Sequence, residues 1–153
     1  MLEVSPVRLT AKSEYGLLAA IDLACHYGAG PVSARDIAER RGIPPRFLEQ
    51  LFVSLRRAGI VQAVRGAKGG FALSREPAEI TVLDIVEALE GPLVSSVCDQ
   101  TREGSCGMSD ACAAAPVWAR ATGALRDVFA STTLASLGGT QETFDRHATA
   151  ERR

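Results

Sequence analysis

The stretch SARDIAERRGIPPRFLEQLFVSLRRAGIVQAVRGAKGGFALS, residues 33–74, decides the fold. Ser33, followed three residues on by Asp36, is the pattern of a capping box that opens a helix, with Ile37 and Ala38 facing inward. Gly42 ends that helix in a tight turn. Proline is tolerated in the first turn of a helix, so a second one starts at Pro44 and Pro45. Phe47, Leu48, Leu51, Phe52 and Leu55 recur at helical spacing and form its buried face, with Gly59 as the terminator. IVQAV, RGAKGG and FALS then read as strand, glycine-rich turn and strand. Two short helices joined by a glycine turn are a helix-turn-helix, and the hairpin that follows makes it a winged one. The expected class is mainly α with a small β-hairpin wing.

Working outward, Thr10 to about His26 is helical, with Leu17, Leu18, Ile21 and Cys25 on one face. Thr81 to Leu89 is another helix, capped by Thr81 and Asp84, with Val82, Ile85, Val86 and Leu89 inward. A long helix runs from about Pro116 to Ala135. Val117, Ala121, Ala124, Leu125, Val128 and Thr132 form its apolar stripe. Such a stripe beyond a closed winged helix needs a covering surface, and a second copy in a homodimer supplies one. From Gly138 onward the chain is polar and is expected to fray.

Net charge is −1 over 153 residues, which alone speaks against a nucleic-acid partner. The distribution reverses that. Residues 1–70 carry 10 Lys/Arg against 6 Asp/Glu, and residues 71–153 carry 7 against 12. A basic first half fits contact with DNA. No apolar run reaches membrane-spanning length and MLEVSPVRL has no apolar signal core, so a cytoplasmic protein is expected. The first six residues, MLEVSP, read as a short unstructured lead. No Ser/His/Asp set, HExxH or P-loop is present, which argues against an enzyme.

In a helix-turn-helix the second helix enters the major groove with its N-terminal residues at base edges. Those residues include Arg46, Phe47, Glu49 and Gln50. Arg46 suits guanine, Gln50 adenine, and Glu49 the amino group of cytosine. Arg65 and Lys68 bracket the wing tip, within reach of a minor groove or a phosphate. Arg56 and Arg57 are expected to touch backbone phosphates or nothing.

Cys98, Cys106 and Cys112 are spaced C-x7-C-x5-C in a segment rich in Gly, Ser and Asp. Clustered thiols inside a cell point to metal or redox chemistry rather than a disulfide framework. Structural zinc favours CxxC pairs or Cys with His, and the segment has neither. An iron–sulfur cluster accepts wider, irregular spacing. A thiol- or zinc-based sensor of the same fold, without a cluster, is the alternative. Cys25 lies on an apolar helix face and reads as a small core residue.

RLTAKSEYG at 8–16, the stretch from Gly30 to Ser74 with LEQL and VRG..GG, and the cysteine segment ending in PVWARA together resemble iron–sulfur regulators of the IscR/NsrR/RirA type. The resemblance covers residues 7 to about 137. It implies a homodimeric winged-helix repressor or activator that binds a palindromic double-stranded DNA operator. It also implies a 2Fe–2S or 4Fe–4S cluster sensing iron, redox state or nitric oxide. The three ligand cysteines fall on Cys98, Cys106 and Cys112, and the DNA-reading positions on Arg46, Phe47, Glu49 and Arg65. The x7 spacing resembles the RirA branch. Where IscR-like members take a histidine, this chain has Ala115. Where NsrR-like members take an acidic ligand from the partner's first helix, it has Glu14, a position where a carboxylate also suits the helix dipole. The implied organisation is a DNA-binding domain at 7–90, a cluster loop at 91–115, a dimerisation helix at 116–137 and a flexible tail at 138–153.

Overall fold

Thr10 starts the first helix. Its extended backbone lets the hydroxyl accept from the Lys12 amide (3.2 Å), and α1 runs Ala11–Cys25. A computed structural model describes residues 9–93 and 112–152. Within them α1 is the central helix, packed most extensively on the fourth and last helices. The expected stripe is only partly right. Ile21 is buried and Leu17 and Leu18 are half-buried, but Gly16, Ala19, Ala20 and Leu23 lie deeper. Small side chains let neighbouring helices approach α1 from several sides, so no single stripe forms. A Cβ on Gly16 would sit 2.2 Å from Leu89 Cδ1.

The Ser33 hydroxyl accepts from the Asp36 amide (3.1 Å) and starts α2, Ala34–Arg41. Gly42 ends it in the left-handed region (φ 64°, ψ 34°), which glycine enters without the penalty of a side chain. Pro45 opens α3, Pro45–Arg57, which buries Leu48, Leu51, Phe52 and Leu55. The hairpin follows: β1 (Val61–Val64) pairs antiparallel with β2 (Gly70–Leu73), Val61 opposite Leu73 and Val64 opposite Gly70. Val32 and Phe71 exchange backbone bonds of 2.8 Å, which ties the wing to the α1–α2 connection. The approach there is close enough that a Cβ on Gly70 would meet Val32 O at 2.3 Å. Phe71 stacks on Phe52 with ring centroids 4.4 Å apart, so wing and α3 share one core.

A 3-10 turn at Pro77–Glu79 leads to α4, Val82–Glu90. Its capping box forms in both directions: Thr81 N donates to Asp84 (2.9 Å) and Asp84 N to the Thr81 hydroxyl (3.1 Å). α5 spans Ala115–Ser131 and α6 spans Leu134–Glu151.

The C-terminal third departs from expectation. One helix to about residue 135 and a flexible tail from 138 were expected; two helices are found. Thr132 is extended (φ −103°, ψ 118°), and this corner pairs with the chain before α4: Val82 N donates to Thr132 O and Leu134 N to Ile80 O, both at 2.9 Å. Thr133 then caps α6 through the Ser136 amide (3.3 Å). Leu134 is fully buried, and Gly138 lies 3.5 Å, as measured from an added Cβ, from Ala24 of α1. Packing on α1 overrides the poor helix propensity of Gly138 and Gly139, which costs about 1 kcal/mol per glycine. No described helix is long and apolar enough to cross a membrane.

Candidate nucleic-acid interface and thiol segment

A helix turns about 100° per residue. With Leu48, Leu51, Phe52 and Leu55 against the core, Arg46, Glu49, Gln50, Val53 and Arg57 lie on the outer face of α3, all exposed. Phe47 stands between the faces. It is half-buried, and its ring meets Tyr15 edge-on at 5.7 Å and 81°. It therefore braces the first turn of α3 against α1 while leaving an edge accessible. Arg65 and Lys68 are exposed in the connection between β1 and β2, turned by a Gly69 N to Gly66 O bond of 3.0 Å. Arg46, Gln50, Arg65 and Lys68 make no ion pair or side-chain hydrogen bond with any described residue, so their polar ends are available to a ligand.

What locks α2 onto its neighbours was not read from the sequence. Asp22 of α1 is wholly buried. Arg40 chelates its carboxylate at 3.1 and 2.9 Å, and Arg41 Nε reaches Oδ1 at 2.8 Å. Arg41 continues to Asp145 of α6 (3.3 Å), so one charge network fixes α2 against α1 and α6. A buried carboxylate persists when it is paired and hydrogen-bonded. The bond to Asp22 raises the Arg40 pKa above its ordinary value despite burial. Asp145 is held below its ordinary value, first by the amide of Gln141; burial opposes this, and Arg41 adds to the lowering. The clue in the sequence is an aspartate inside the apolar run LLAAIDLAC.

A second network joins α4 to the start of α1. Glu90 Oε1 accepts from the Thr10 amide (3.2 Å), the Thr10 hydroxyl and the Ser13 hydroxyl (2.9 Å). Burial pushes the Glu90 carboxyl up, but these three bonds and Lys12 together hold it below its ordinary value. Glu90 precedes the cysteine segment, and the anchored turn also carries Glu14, which is exposed.

Of the candidate cluster ligands, Cys98 and Cys106 lie outside the described residues. Cys112 is half-buried three residues before α5, and its carbonyl accepts from Ala115 N (3.2 Å). Among the described residues no group of three or more His, Cys, Asp or Glu side chains gathers to hold a metal. Cys25 is half-buried, its thiol 3.6 Å from the Gly138 carbonyl. Burial raises its pKa, with Arg41 opposing, which suits an inert packing thiol.

The stripe on α5 divides. Leu125 packs with Phe129 against Val82, Val86 and Leu93, whereas Val117 and Val128 are 60% and 59% exposed. Ala121 and Ala124, between them, are exposed too, so this uncovered apolar face runs most of the helix.

The model of the Rrf2 family, described as iron-dependent transcriptional regulators, matches residues 9–139. The HTH-type transcriptional regulator IscR of Photorhabdus laumondii is 37% identical over 91% of this chain and 84% of its own length. IscR of Escherichia coli is 35% identical over 91% and 85%. Among solved structures, T. potens IscR has a TM-score of 0.70 at 38% identity, covering 90% of this chain and 88% of that one. CymR, the global cysteine regulator of B. subtilis, has a TM-score of 0.72 at 35% identity, covering 88% and 98%.

Proposed function

Since this chain belongs to the Rrf2 family of transcriptional regulators, we propose that it binds a palindromic DNA operator as a homodimer and that an iron–sulfur cluster sets its affinity. The observation that carries the DNA reading is the outer face of α3, where Arg46, Glu49 and Gln50 stand exposed beside a wing bearing Arg65 and Lys68. Arg46 and Gln50 read base edges, Arg65 enters the minor groove, and Phe47 keeps the reading helix pressed on Tyr15. The Asp22 network makes α1, α2 and α6 one rigid support for that helix.

The exposed Val117–Val128 face of α5 supports the dimer, since an apolar stripe left in water favours self-association. Two such subunits present two reading helices to two half-sites.

The donor set fits a cluster. Cys112 is half-buried, three thiols occupy a fifteen-residue segment, and the Glu14 side chain makes no hydrogen bond to a described residue. Cys98, Cys106 and Cys112 would hold the group, with Glu14 of the partner subunit as the fourth ligand. When bound, the cluster supplies ligand bonds that respond to iron supply, oxidation or nitric oxide. The chain's part is mechanical: Glu90 binds the first turn of α1, so a change in the segment after α4 is passed to the helix on which α3 rests.

A second reading has support of its own. CymR matches this fold, and Staphylococcus aureus CymR, 35% identical with a TM-score of 0.67, has been solved in an oxidized form. A thiol-based sensor without a cluster follows that pattern. Anaerobic purification decides between them. The cluster reading expects a coloured protein with iron and sulfide in equal amounts, lost in Cys98→Ala, Cys106→Ala and Cys112→Ala and kept in Cys25→Ala. A colourless protein whose operator affinity follows thiol oxidation or zinc overturns it.

A further inference from the structure

Between the last turn of α3 and the first strand of the wing lies an open notch of about 550 Å³, lined by Val53, Arg56, Arg57, Val61, Gln62 and Ala63. It is separate from the base-reading turn of α3 and from the wing tip. Its two arginines come from one wall and its glutamine from the other. All three are exposed, and none makes an ion pair or side-chain hydrogen bond with a described residue. Ala72 stands opposite Gln62 in the hairpin register, too small to cover its amide. Val53, 54% exposed, gives the notch an apolar wall.

We propose that this notch is a clamp for one phosphodiester of the operator backbone, with Gln62 a positioning residue acting together with Arg56 and Arg57. The inference rests on the DNA-binding reading and follows from its geometry. If α3 lies in the major groove and the Arg65–Lys68 tip in the neighbouring minor groove, the strand that separates those grooves crosses between helix and wing. The notch is the concavity at that crossing. Guanidinium groups and a side-chain amide N–H are donors that phosphate oxygens accept from, and an apolar wall suits the deoxyribose beside them. Such a clamp reads no sequence. It fixes how far the wing tip is inserted when α3 is docked, and it contributes equally on any sequence.

The test uses the full chain and a duplex recovered by binding from a random-sequence pool. Single neutral methylphosphonate linkages are then placed at each position of one half-site. The clamp predicts one sensitive linkage between the two contacted grooves. Gln62→Ala should weaken binding by about tenfold, as for one hydrogen bond to a charged acceptor, without changing the salt slope. Arg57→Ala should weaken it by about tenfold or more and lower the slope by about one. Both variants should lose the sensitivity at that same linkage, and operator and random duplex should weaken alike. Wild-type affinity in Gln62→Ala, or an unchanged methylphosphonate profile in both variants, overturns the clamp while leaving DNA binding standing. A wild-type chain that binds no duplex overturns both.

Discussion

Asp22 shows how much of this molecule hangs on single side chains. Its arginine partners lie eighteen and nineteen residues away, His26 at the end of the same helix stands 3.8 Å off, and Asp145 joins through Arg41 from the far end of the chain. Helical periodicity reports which face a residue is on, not which distant charge meets it. That is why exposed Arg46, Glu49 and Gln50 were legible and the buried pair was not. Removing one partner of a buried pair leaves the other uncompensated. Arg41 is nearly buried and Arg40 is 40% exposed, so some of that cost is relieved by water. Asp22→Ala should therefore lower unfolding stability by about 3 kcal/mol, the low end of the range for broken buried pairs, in urea titration. An unchanged midpoint would mean that the arginines find other partners. Glu90 gives a pH signature. Its folded pKa is depressed, so the stabilisation is complete above the unfolded value of about 4.3 and is lost as pH falls through the lower folded value. Wild-type thermal stability should fall more steeply than that of Glu90→Gln across this acid range, and parallel curves would exclude the linkage.

At the scale of elements, the winged helix was legible because each boundary carries its own chemistry: Ser33, Gly42, Pro45, Gly59 and the Thr81–Asp84 box all act where the sequence places them. The C-terminal helices were not. α6 contains Gly138 and Gly139 and is largely polar, so local propensity argues against it. Its stability comes from tertiary contact, chiefly the few residues that touch α1. The break at Thr132 was equally hidden, since it depends on backbone pairing with Ile80 and Val82 fifty residues earlier in the chain. In hindsight, Thr133 before a leucine at 134 and another at 137 is the one local sign of a new helix start. If packing sustains α6, then Leu134→Ala, which empties a fully buried site, should cost about 2–5 kcal/mol and reduce helicity beyond the substituted turn. Circular dichroism with chemical denaturation measures both. A loss below about 0.5 kcal/mol, within the usual range for surface substitutions, would show that α6 stands without α1.

For the whole molecule, the two halves differ in charge and in what they leave exposed: basic side chains on α3 and the wing in the first, and in the second the apolar α5 face on which the proposed dimer rests. The sequence showed both, because charge counts and helical stripes are local properties. It did not show how a signal would cross between subunits, and Glu14 is where that question is sharpest. Glu14 is exposed in the first turn of α1, where a carboxylate is worth about 0.3–1 kcal/mol simply through the helix dipole. As a ligand it would be a hard oxygen donor on iron, weaker than thiolate and readily exchanged. Glu14→Ala should then shorten cluster lifetime in air and lower cluster-linked operator affinity, while the apo-protein unfolds almost as before. A dipole role alone predicts the reverse, a small stability loss with an unchanged spectrum. Heterodimers settle whether the ligand crosses. Pairing a Glu14→Ala chain with a Cys106→Ala chain leaves one complete site and one doubly broken site if Glu14 serves the partner subunit. Such a heterodimer should carry about half the iron of the wild type and retain its spectrum at half strength. If Glu14 serves its own chain, both sites are damaged and the heterodimer should load no better than the two parent homodimers. Iron content and visible absorption of the purified heterodimer, isolated through two different affinity tags, give the answer directly.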